Sequence, residues 1–224
     1  MADPEVKRTY NSPSRTARAR ETRQRILKAA TELFVARGYA ATAVTDVAAE
    51  AGVTARLVYL TFPSKRALLD AAIAQALGGD DEQVMLRDRE WFRATLEAPG
   101  QEMPGLFARF TTALHERSAA LLEAAEAAAA ADPEIAERAA VGHAHRRGDM
   151  RRIGDAMARK LGVDAEYATD LLYTLGSSAV YALFVFQCGW SPQRYQSWLT
   201  ATLEASLVRP ASTSWAASSP SGRR

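Results

Sequence analysis

The chain has 224 residues, of which 48% are hydrophobic and 24% are charged, and its formal net charge is +2. These proportions are typical of a globular protein and exclude a fibrous or wholly unstructured chain. A single cysteine, Cys188, excludes an internal disulfide and a cysteine-based zinc site within one chain, and the longest apolar run, 179–186, is too short to span a membrane. We therefore expect a cytoplasmic protein with no membrane association, no metal and no cofactor.

Positive charge is concentrated at the N-terminal end. Residues 1–77 contain twelve Lys and Arg against seven Asp and Glu, whereas the remainder contains sixteen against nineteen. Such a basic segment is expected where DNA phosphates are neutralised, and a solvated arginine-rich helix start is the alternative. Five arginines crowd the approach to the first predicted helix, and we predict DNA contacts for Arg20 and Arg23 among them: Arg15, Arg18, Arg20, Arg23 and Arg25.

Apolar residues repeat at spacings of three and four, which predicts an all-α protein. The first 18 residues and residues 210–224 lack this repeat, so we expect a disordered basic tail and a disordered C-terminal tail. Gly38 suits the left-handed conformation that ends the first helix. Two short helices are then predicted on either side of Gly52, which tolerates positive φ, and Thr54 is predicted as the N-cap of the second.

The remaining helices follow from caps and periodicity. Ser64 is a good N-cap for a helix that reaches Gly78-Gly79, and proline-containing starts stand at Asp132-Pro133 and Ser191-Pro192. In total we predict about nine helices, the last five at about 81–97, 102–130, 133–161, 164–188 and 192–208.

Two short helices hinged at a glycine are typical of a helix-turn-helix, in which the N-terminal residues of the second helix enter the major groove. Arg56 is the strongest candidate for a base contact, because a guanidinium can bond guanine O6 and N7 together; a phosphate contact or a free surface charge is the alternative. We expect Val47, Ala48, Val53 and Val58 to face inward. The residues left to reach DNA are Thr54, Ala55, Arg56, Leu57, Leu60 and Thr61.

Two further side chains suit phosphate contacts. Tyr59 can place its ring between helices and its hydroxyl on a phosphate, with a core position as the alternative. Lys65 follows the Ser64 cap, where the helix N-terminus already favours an anion. An exposed lysine without a DNA contact has the same sequence pattern.

A specific set of residues runs through this segment: Arg23-Gln24-Arg25-Ile26-Leu27, Ala29-Ala30, Leu33-Phe34, Arg37-Gly38-Tyr39, Val47-Ala48, Ala51-Gly52-Val53, Tyr59, Phe62-Pro63-Ser64-Lys65 and Leu68-Leu69. With this set the chain resembles the N-terminal domain of the TetR family of transcriptional regulators. The resemblance implies operator contacts at Thr45 and along 54–61, with Tyr59 and Lys65 on phosphates. The recognition helix departs from the usual Lys, Gly, Thr pattern, so no operator sequence is carried over.

The expected fold is all-α, with an N-terminal three-helix helix-turn-helix DNA-binding domain and a larger C-terminal helical domain that, by the resemblance, binds a ligand and dimerises. The predicted division is a basic tail at 1–18, the DNA-binding domain at 19–63, a connecting helix at 64–79, the ligand-binding and dimerisation domain at 80–209, and a tail at 210–224.

Wide apolar faces along 171–207 indicate a partner surface. The segment Gly189-Trp190-Ser191-Pro192 resembles the start of the final helix in many family members, in which the last two helices pair with their copies. A twofold homodimer would present two recognition helices about 34 to 36 Å apart, so the double-stranded operator should be roughly palindromic. The predicted interface residues are Leu172, Leu175, Ser178, Ala179, Leu183, Trp198, Leu199 and Leu203.

The resemblance also implies an effector pocket after Gly79, for an unknown and largely apolar small molecule. Plain core is the alternative for each aromatic candidate, since pockets are themselves mostly apolar. His115 is predicted as an interior or rim histidine, and the arginines of 146–152 as a solvated face that could also meet an anionic group. The candidates are Trp91, Phe92, Phe107, Phe110, His115, Met150, Met157 and Tyr173.

We predict a ligand-responsive repressor whose effector favours the arrangement that cannot bind DNA. An activator or a constitutive architectural DNA binder would share the same N-terminal residues. Catalysis is not expected, because the sequence has no Ser/His/Asp spacing, no glycine-rich phosphate loop and no HExxH motif.

Overall fold

The computed structural model describes residues 13–79 and 85–208, with side chains from residue 15. Within these ranges the chain forms ten α-helices and no β-strand, which confirms the all-α fold class. A π-helical turn, Leu183–Gln187, follows the ninth helix, and 3-10 turns lie at Leu86–Asp88 and Gly100–Glu102. The helices are α1 Pro13–Ala41, α2 Val44–Glu50, α3 Ala55–Thr61, α4 Lys65–Gly78, α5 Glu90–Glu97, α6 Met103–Ala129, α7 Pro133–Leu161, α8 Ala165–Leu175, α9 Ser178–Ala182 and α10 Pro192–Leu207.

Two sequence predictions are wrong in detail. Residues 13–18 belong to α1 and not to a disordered tail, while residues 1–12 and the predicted tail at 210–224 lie outside the described residues. The single helix predicted at 164–188 is broken, because Ser177 starts a new helix by accepting a hydrogen bond from Val180 N at 3.2 Å. This break raises the number of described helices from the predicted nine to ten.

The described residues form two compact units, one made of 13–79 with 117–140 and the other of 85–116 with 141–208. α6 and α7 therefore each contribute residues to both units. The predicted boundaries at 19, 64 and 80 stay a prediction.

A single apolar core holds the first unit together. Ile26, Ala30 and Phe34 on α1 are completely buried, at the spacing that the sequence predicts for one helix face. The same core includes Leu121, Ala125 and Ile135, so the end of α6 and the start of α7 pack with the helix-turn-helix.

The second unit has its own core, and three predicted interface residues belong to it. Leu172, Leu199 and Leu203 are each 0% exposed in the single chain. A fully enclosed side chain cannot contact a partner, so their assignment to a dimer interface is wrong. Periodicity identified an apolar face correctly but did not reveal that helices of the same chain cover it.

No single helix in the described ranges is both long and apolar enough to cross a bilayer; Ala165–Leu175 and Ser178–Gln187 pass that test only as a pair, across a 44° bend.

Gly38 interrupts α1 with φ 80° and ψ 162°. Only glycine adopts this part of the backbone map without strain. The interruption turns the chain so that the Thr42 hydroxyl donates to Gly38 O at 2.8 Å and the Tyr39 ring packs 5.6 Å from that of Phe34. A backbone conformation available to glycine thus sets the entry to α2.

We expect Gly38→Ala to lower the free energy of unfolding by about 1–3 kcal/mol. A Cβ built at Gly38 meets no atom within 4 Å, so the loss comes from the backbone conformation and not from crowding. Gly142→Ala is the matched control, because Gly142 lies in the interior of α7 with equally open surroundings. There alanine should raise stability by about 0.5–1 kcal/mol. Chemical denaturation measures both, and an unchanged midpoint for Gly38→Ala would contradict the account.

Candidate nucleic-acid interface and effector site

The recognition helix α3 is fixed at two points. The Thr54 hydroxyl accepts a hydrogen bond from Leu57 N at 3.2 Å, which confirms the predicted N-cap. Gly52 has φ 64°, the positive value that the sequence predicts for the turn. Val58 is 1% exposed and anchors the helix on the core of the first unit. With its start and its inner face fixed, α3 presents its other side chains in a defined direction.

The opposite face of α3 is exposed and largely apolar. Tyr59 is 53% exposed and Leu60 is 74% exposed, while Leu57 is 38% exposed and Arg56 is also on the surface. The exposure of Tyr59 excludes the alternative in which its ring belongs to the core. Three large apolar side chains together with one guanidinium suit a major groove, which offers thymine methyl groups and guanine acceptors.

The other residues predicted to contact DNA differ in their exposure. Ala55 and Thr61 are half-buried, and the Thr61 hydroxyl donates to Leu57 O at 2.8 Å within the helix. Thr45 is exposed in the first turn of α2. Arg20 is exposed, whereas Arg23 is half-buried with its guanidinium 4.4 Å from the centre of the Phe62 ring.

Lys65 occupies the first position of α4. The Ser64 hydroxyl caps this helix by accepting from Ala67 N at 3.0 Å, as the sequence predicts. The Lys65 ammonium lies 4.2 Å from the centre of the Tyr39 ring and donates to Ala40 O at 3.4 Å. Partial burial lowers the pKa of Lys65. The side chain is therefore held against Tyr39, at a helix N-terminus that favours an anion.

Residues 26–72 match the family model described as bacterial regulatory proteins, tetR family. The helix-turn-helix segment of the chain is therefore similar to the DNA-binding domain of the TetR family. The curated relatives that share this segment are transcriptional regulators, in agreement with the DNA-binding role that the sequence predicts for it. Within the described residues, no three His, Cys, Asp or Glu side chains are grouped so that they could hold a metal ion.

A curated relative shares the matched segment, and solved structures share the fold. The HTH-type transcriptional regulator TtgW of Pseudomonas putida is 47% identical over 58 residues, which are 26% of this chain and 43% of TtgW. The matched segment thus spans less than half of that relative. A transcriptional regulator (TerR/AcrR family) from Aquifex aeolicus VF5 superposes with a TM-score of 0.64 at 18% identity, covering 82% of this chain and 98% of the other.

MexZ, a key repressor responsible for antibiotic resistance in Pseudomonas aeruginosa, superposes with a TM-score of 0.57 at 22% identity, covering 86% of this chain and 97% of MexZ. Identities this low show a shared fold. They carry no information about an operator or an effector of this chain.

Four of the eight predicted pocket residues meet in one aromatic cluster of the second unit. Trp91 stacks on Phe110 with ring centres 4.5 Å apart, Phe107 meets Phe110 edge-on at 5.1 Å, and Phe92 meets Trp91 edge-on at 6.0 Å. Phe92 and Phe107 are buried, whereas Trp91 and Phe110 are half-buried. Met150 and Met157 are also buried. The assignment of these residues to an effector pocket stays a prediction.

Polar side chains from three helices converge on the last carbonyls of α8. The Arg146 guanidinium donates to Tyr173 O and lies 4.3 Å from the centre of the Tyr173 ring. The Tyr195 hydroxyl donates to Leu175 O at 2.9 Å, and His115 bonds to Gly176 O at 3.0 Å. These three groups satisfy carbonyls that a helix end leaves without partners.

The sequence prediction that Arg146 lies on a solvated arginine face is wrong. Its side chain is half-buried, and burial lowers its pKa. The sequence contained a usable signal, because Arg146 precedes the buried residues Met150, Ile153 and Met157 at helical spacing. By contrast, Arg151 and Arg152 are exposed as expected.

His115 is 4% exposed, and burial lowers its pKa to about 4; the hydrogen bond to Gly176 opposes this shift and the charge of Arg146 adds to it. Since a carbonyl only accepts, the neutral ring must carry its proton on Nε2. Nδ1 is then an acceptor, and it has no hydrogen-bond partner among the described residues. The same is true of the buried Thr112 hydroxyl. Thr112 was not among the predicted pocket residues, although it precedes His115 by one helical turn.

We expect acid to destabilise the protein through His115. Below its unfolded pKa of about 6.5 the unfolded chain takes up a proton that the folded chain does not, so the free energy of unfolding falls between pH 6.5 and 4, by roughly 3 kcal/mol. His115→Gln should remove this component, whereas His145→Gln, at an exposed position, should retain it. Denaturant titrations at several pH values measure the free energy of unfolding. If this free energy changes with pH equally in the wild type and in His115→Gln, His115 is not a buried neutral imidazole.

Proposed function

We propose that the chain is a TetR-family repressor that binds a palindromic operator as a homodimer in the cytoplasm and leaves it when a largely apolar small molecule binds the second unit. One observation carries the proposal. α3 is capped by Thr54 and anchored by Val58, yet it exposes Arg56, Leu57, Tyr59 and Leu60 together. Exposed leucines do not stabilise a helix that faces only water. In a helix that enters a DNA groove, the same side chains make contacts with base edges.

Dimerisation is proposed through the segment that follows α8. Leu183 is 50% exposed and Phe186 is 53% exposed in the π-helical turn, and Ala179 is exposed one turn earlier. Leu175, Ser178 and Trp198 are half-buried and remain candidates from the predicted set. Two copies related by a twofold axis would bury this apolar surface and pair two recognition helices.

Ligand response is proposed to act through α4, which carries Lys65 at its first position. Arg117 on α6 donates to Ala76 O and to Leu77 O, both at 3.2 Å, in the last turn of α4. At least two ion pairs join α4 to α7: Arg66 with Glu134, and Arg138 with Asp70 at 3.3 Å. A shift of α6 or α7 would therefore move α4, and an effector with different affinities for the two arrangements would change the population that binds DNA.

A constitutive architectural binder and an activator share the exposed face of α3, and two measurements separate them from the proposal. Sequence-independent binding would weaken steeply with salt and ignore the base sequence, whereas a repressor should prefer its palindrome by about a thousandfold or more. An activator would bind the same palindrome but raise transcription in a reporter assay.

Arg56 gives the direct test of sequence recognition. We expect Arg56→Ala to weaken binding to the palindrome by about 1–3 kcal/mol and to relax the preference for guanine at one position in each half-site. Arg56→Lys should retain the charge but lose part of that preference, since an ammonium lacks the planar fork that fits guanine O6 and N7. Competition binding against single-base variants of DNA adjoining the gene measures both.

The matched control is Arg159→Ala, which removes one exposed positive charge from α7. It should leave the guanine preference intact. Arg56→Ala could instead weaken binding to all duplexes equally and lower the number of counterions released on binding by about one. Arg56 would then contact a phosphate, and other residues would recognise the bases.

Leu60 should read thymine through its methyl group. Replacing one operator thymine by deoxyuridine removes a single methyl, and the lost contact should cost about 0.8 kcal/mol, or about fourfold in affinity. Leu60→Ala should bind both duplexes equally, whereas Val35→Ala, another exposed apolar residue of the first unit, should keep the difference. Fluorescence anisotropy measures the four affinities. A methyl effect that persists in Leu60→Ala would refute this role.

A further inference from the structure

In the second unit, two buried side-chain atoms of α6 have no hydrogen-bond partner among the described residues: Thr112 Oγ1 and His115 Nδ1. The two residues are 3% and 4% exposed, so bulk water does not reach them in the folded chain. Leaving a buried donor or acceptor without a partner is costly, and native proteins do so rarely. Two such atoms on neighbouring turns of one helix therefore indicate a place for a complementary polar group.

The geometry of α6 places the two side chains together. Thr112 and His115 are separated by three positions in an uninterrupted helix, and residues at this spacing share one face with Cβ atoms about 5–6 Å apart. A single hydroxyl between them can donate to one side chain and accept from the other.

The Thr112 hydroxyl differs from the hydroxyls of three other helical threonines. Thr95, Thr169 and Thr202 each donate to the carbonyl four residues earlier, at 2.8, 2.7 and 2.8 Å. This local bond is the usual way in which a helix satisfies a buried threonine. Thr112 makes no such bond, so its hydroxyl remains available as a donor and as an acceptor.

The surroundings select the charge of the ligand group. His115 offers only an acceptor at Nδ1, because its Nε2 proton is committed to Gly176 O at 3.0 Å. A cation is disfavoured, since the Arg146 guanidinium is close enough to lower the pKa of His115 and burial penalises any charge. An anion is disfavoured at Nδ1, because it cannot donate. An uncharged hydrogen-bond donor meets these conditions. The ring centre of Tyr181 lies 5.6 Å from that of His115, which favours a donor attached to an aromatic ring.

From these observations we infer that Thr112 and His115 form a binding site for the hydroxyl group of an uncharged aromatic alcohol. The inference rests on the proposed function, because it assigns a chemical class to the effector of the second unit. The hydroxyl donates its proton to His115 Nδ1 and accepts one from Thr112 Oγ1, while the ring occupies apolar surroundings. Ligands of the same shape without a hydroxyl leave both protein atoms unsatisfied and bind more weakly.

The test compares phenol with toluene, which replaces the hydroxyl by a methyl group, on the full chain labelled with ¹⁵N histidine. Phenol should shift the Nδ1 resonance of His115 and leave those of the exposed His143 and His145 unchanged. Its Kd should be at least about tenfold lower than that of toluene. The valine variant Thr112→Val should reduce this preference severalfold, and Thr95→Val, at a buried threonine whose hydroxyl is already bonded, should retain it.

The outcomes separate this inference from the proposed function. Equal affinities for phenol and toluene, or an unchanged His115 resonance, would overturn the inference even if operator binding is intact. Selective phenol binding that Thr112→Val weakens would establish the site. If phenol then leaves operator affinity unchanged, the hydroxyl site stands and ligand-controlled release fails.

Discussion

The packing of Val58 into the core of the first unit is the contact on which the DNA-binding surface depends. α3 has seven residues, and a helix of this length is unstable alone in water. It persists because the Thr54 cap fixes its first turn and Val58 fixes its inner face. The packing of Val58 therefore fixes the direction in which the exposed side chains of α3 point. This surface keeps its shape only while the core beneath it is intact.

That core is larger than a helix-turn-helix alone would provide. Leu121, Ala125 and Ile135 come from chain segments far from α3, yet they are buried in the same cluster as Val58. Small domains bury a low fraction of their surface and are only marginally stable. The end of α6 and the start of α7 thus supply apolar area that the first four helices lack. As a result, residues more than fifty positions away in sequence support the recognition helix.

Local features of this fold follow from sequence, whereas partners in space do not. The caps at Thr54 and Ser64 and the positive φ of Gly52 each depend on a few neighbouring residues, and all three are found as predicted. Leu172, Leu199 and Leu203 show the limit, because apolar periodicity indicates that a face is covered but not by what. Arg146 is a second example, because its half-buried position depends on α8, which supplies the carbonyl and the aromatic ring that its guanidinium contacts. The DNA and effector contacts remain predictions, since they involve molecules that sequence and fold alone do not specify.

The contacts around α4 are compatible with the proposed ligand response. Arg66, Arg138 and Arg117 hold α4 through ion pairs and carbonyl bonds that are largely exposed to solvent. Exposed ion pairs contribute about 0–1 kcal/mol each, far less than a buried apolar side chain. Leu68, Leu69 and Ala72 attach the same helix to the core by burial. α4 therefore combines a firm apolar attachment with weak polar contacts along its length. Under the proposed ligand response, a small difference in binding energy between two arrangements would be enough to change these polar contacts while the core of the first unit stays closed.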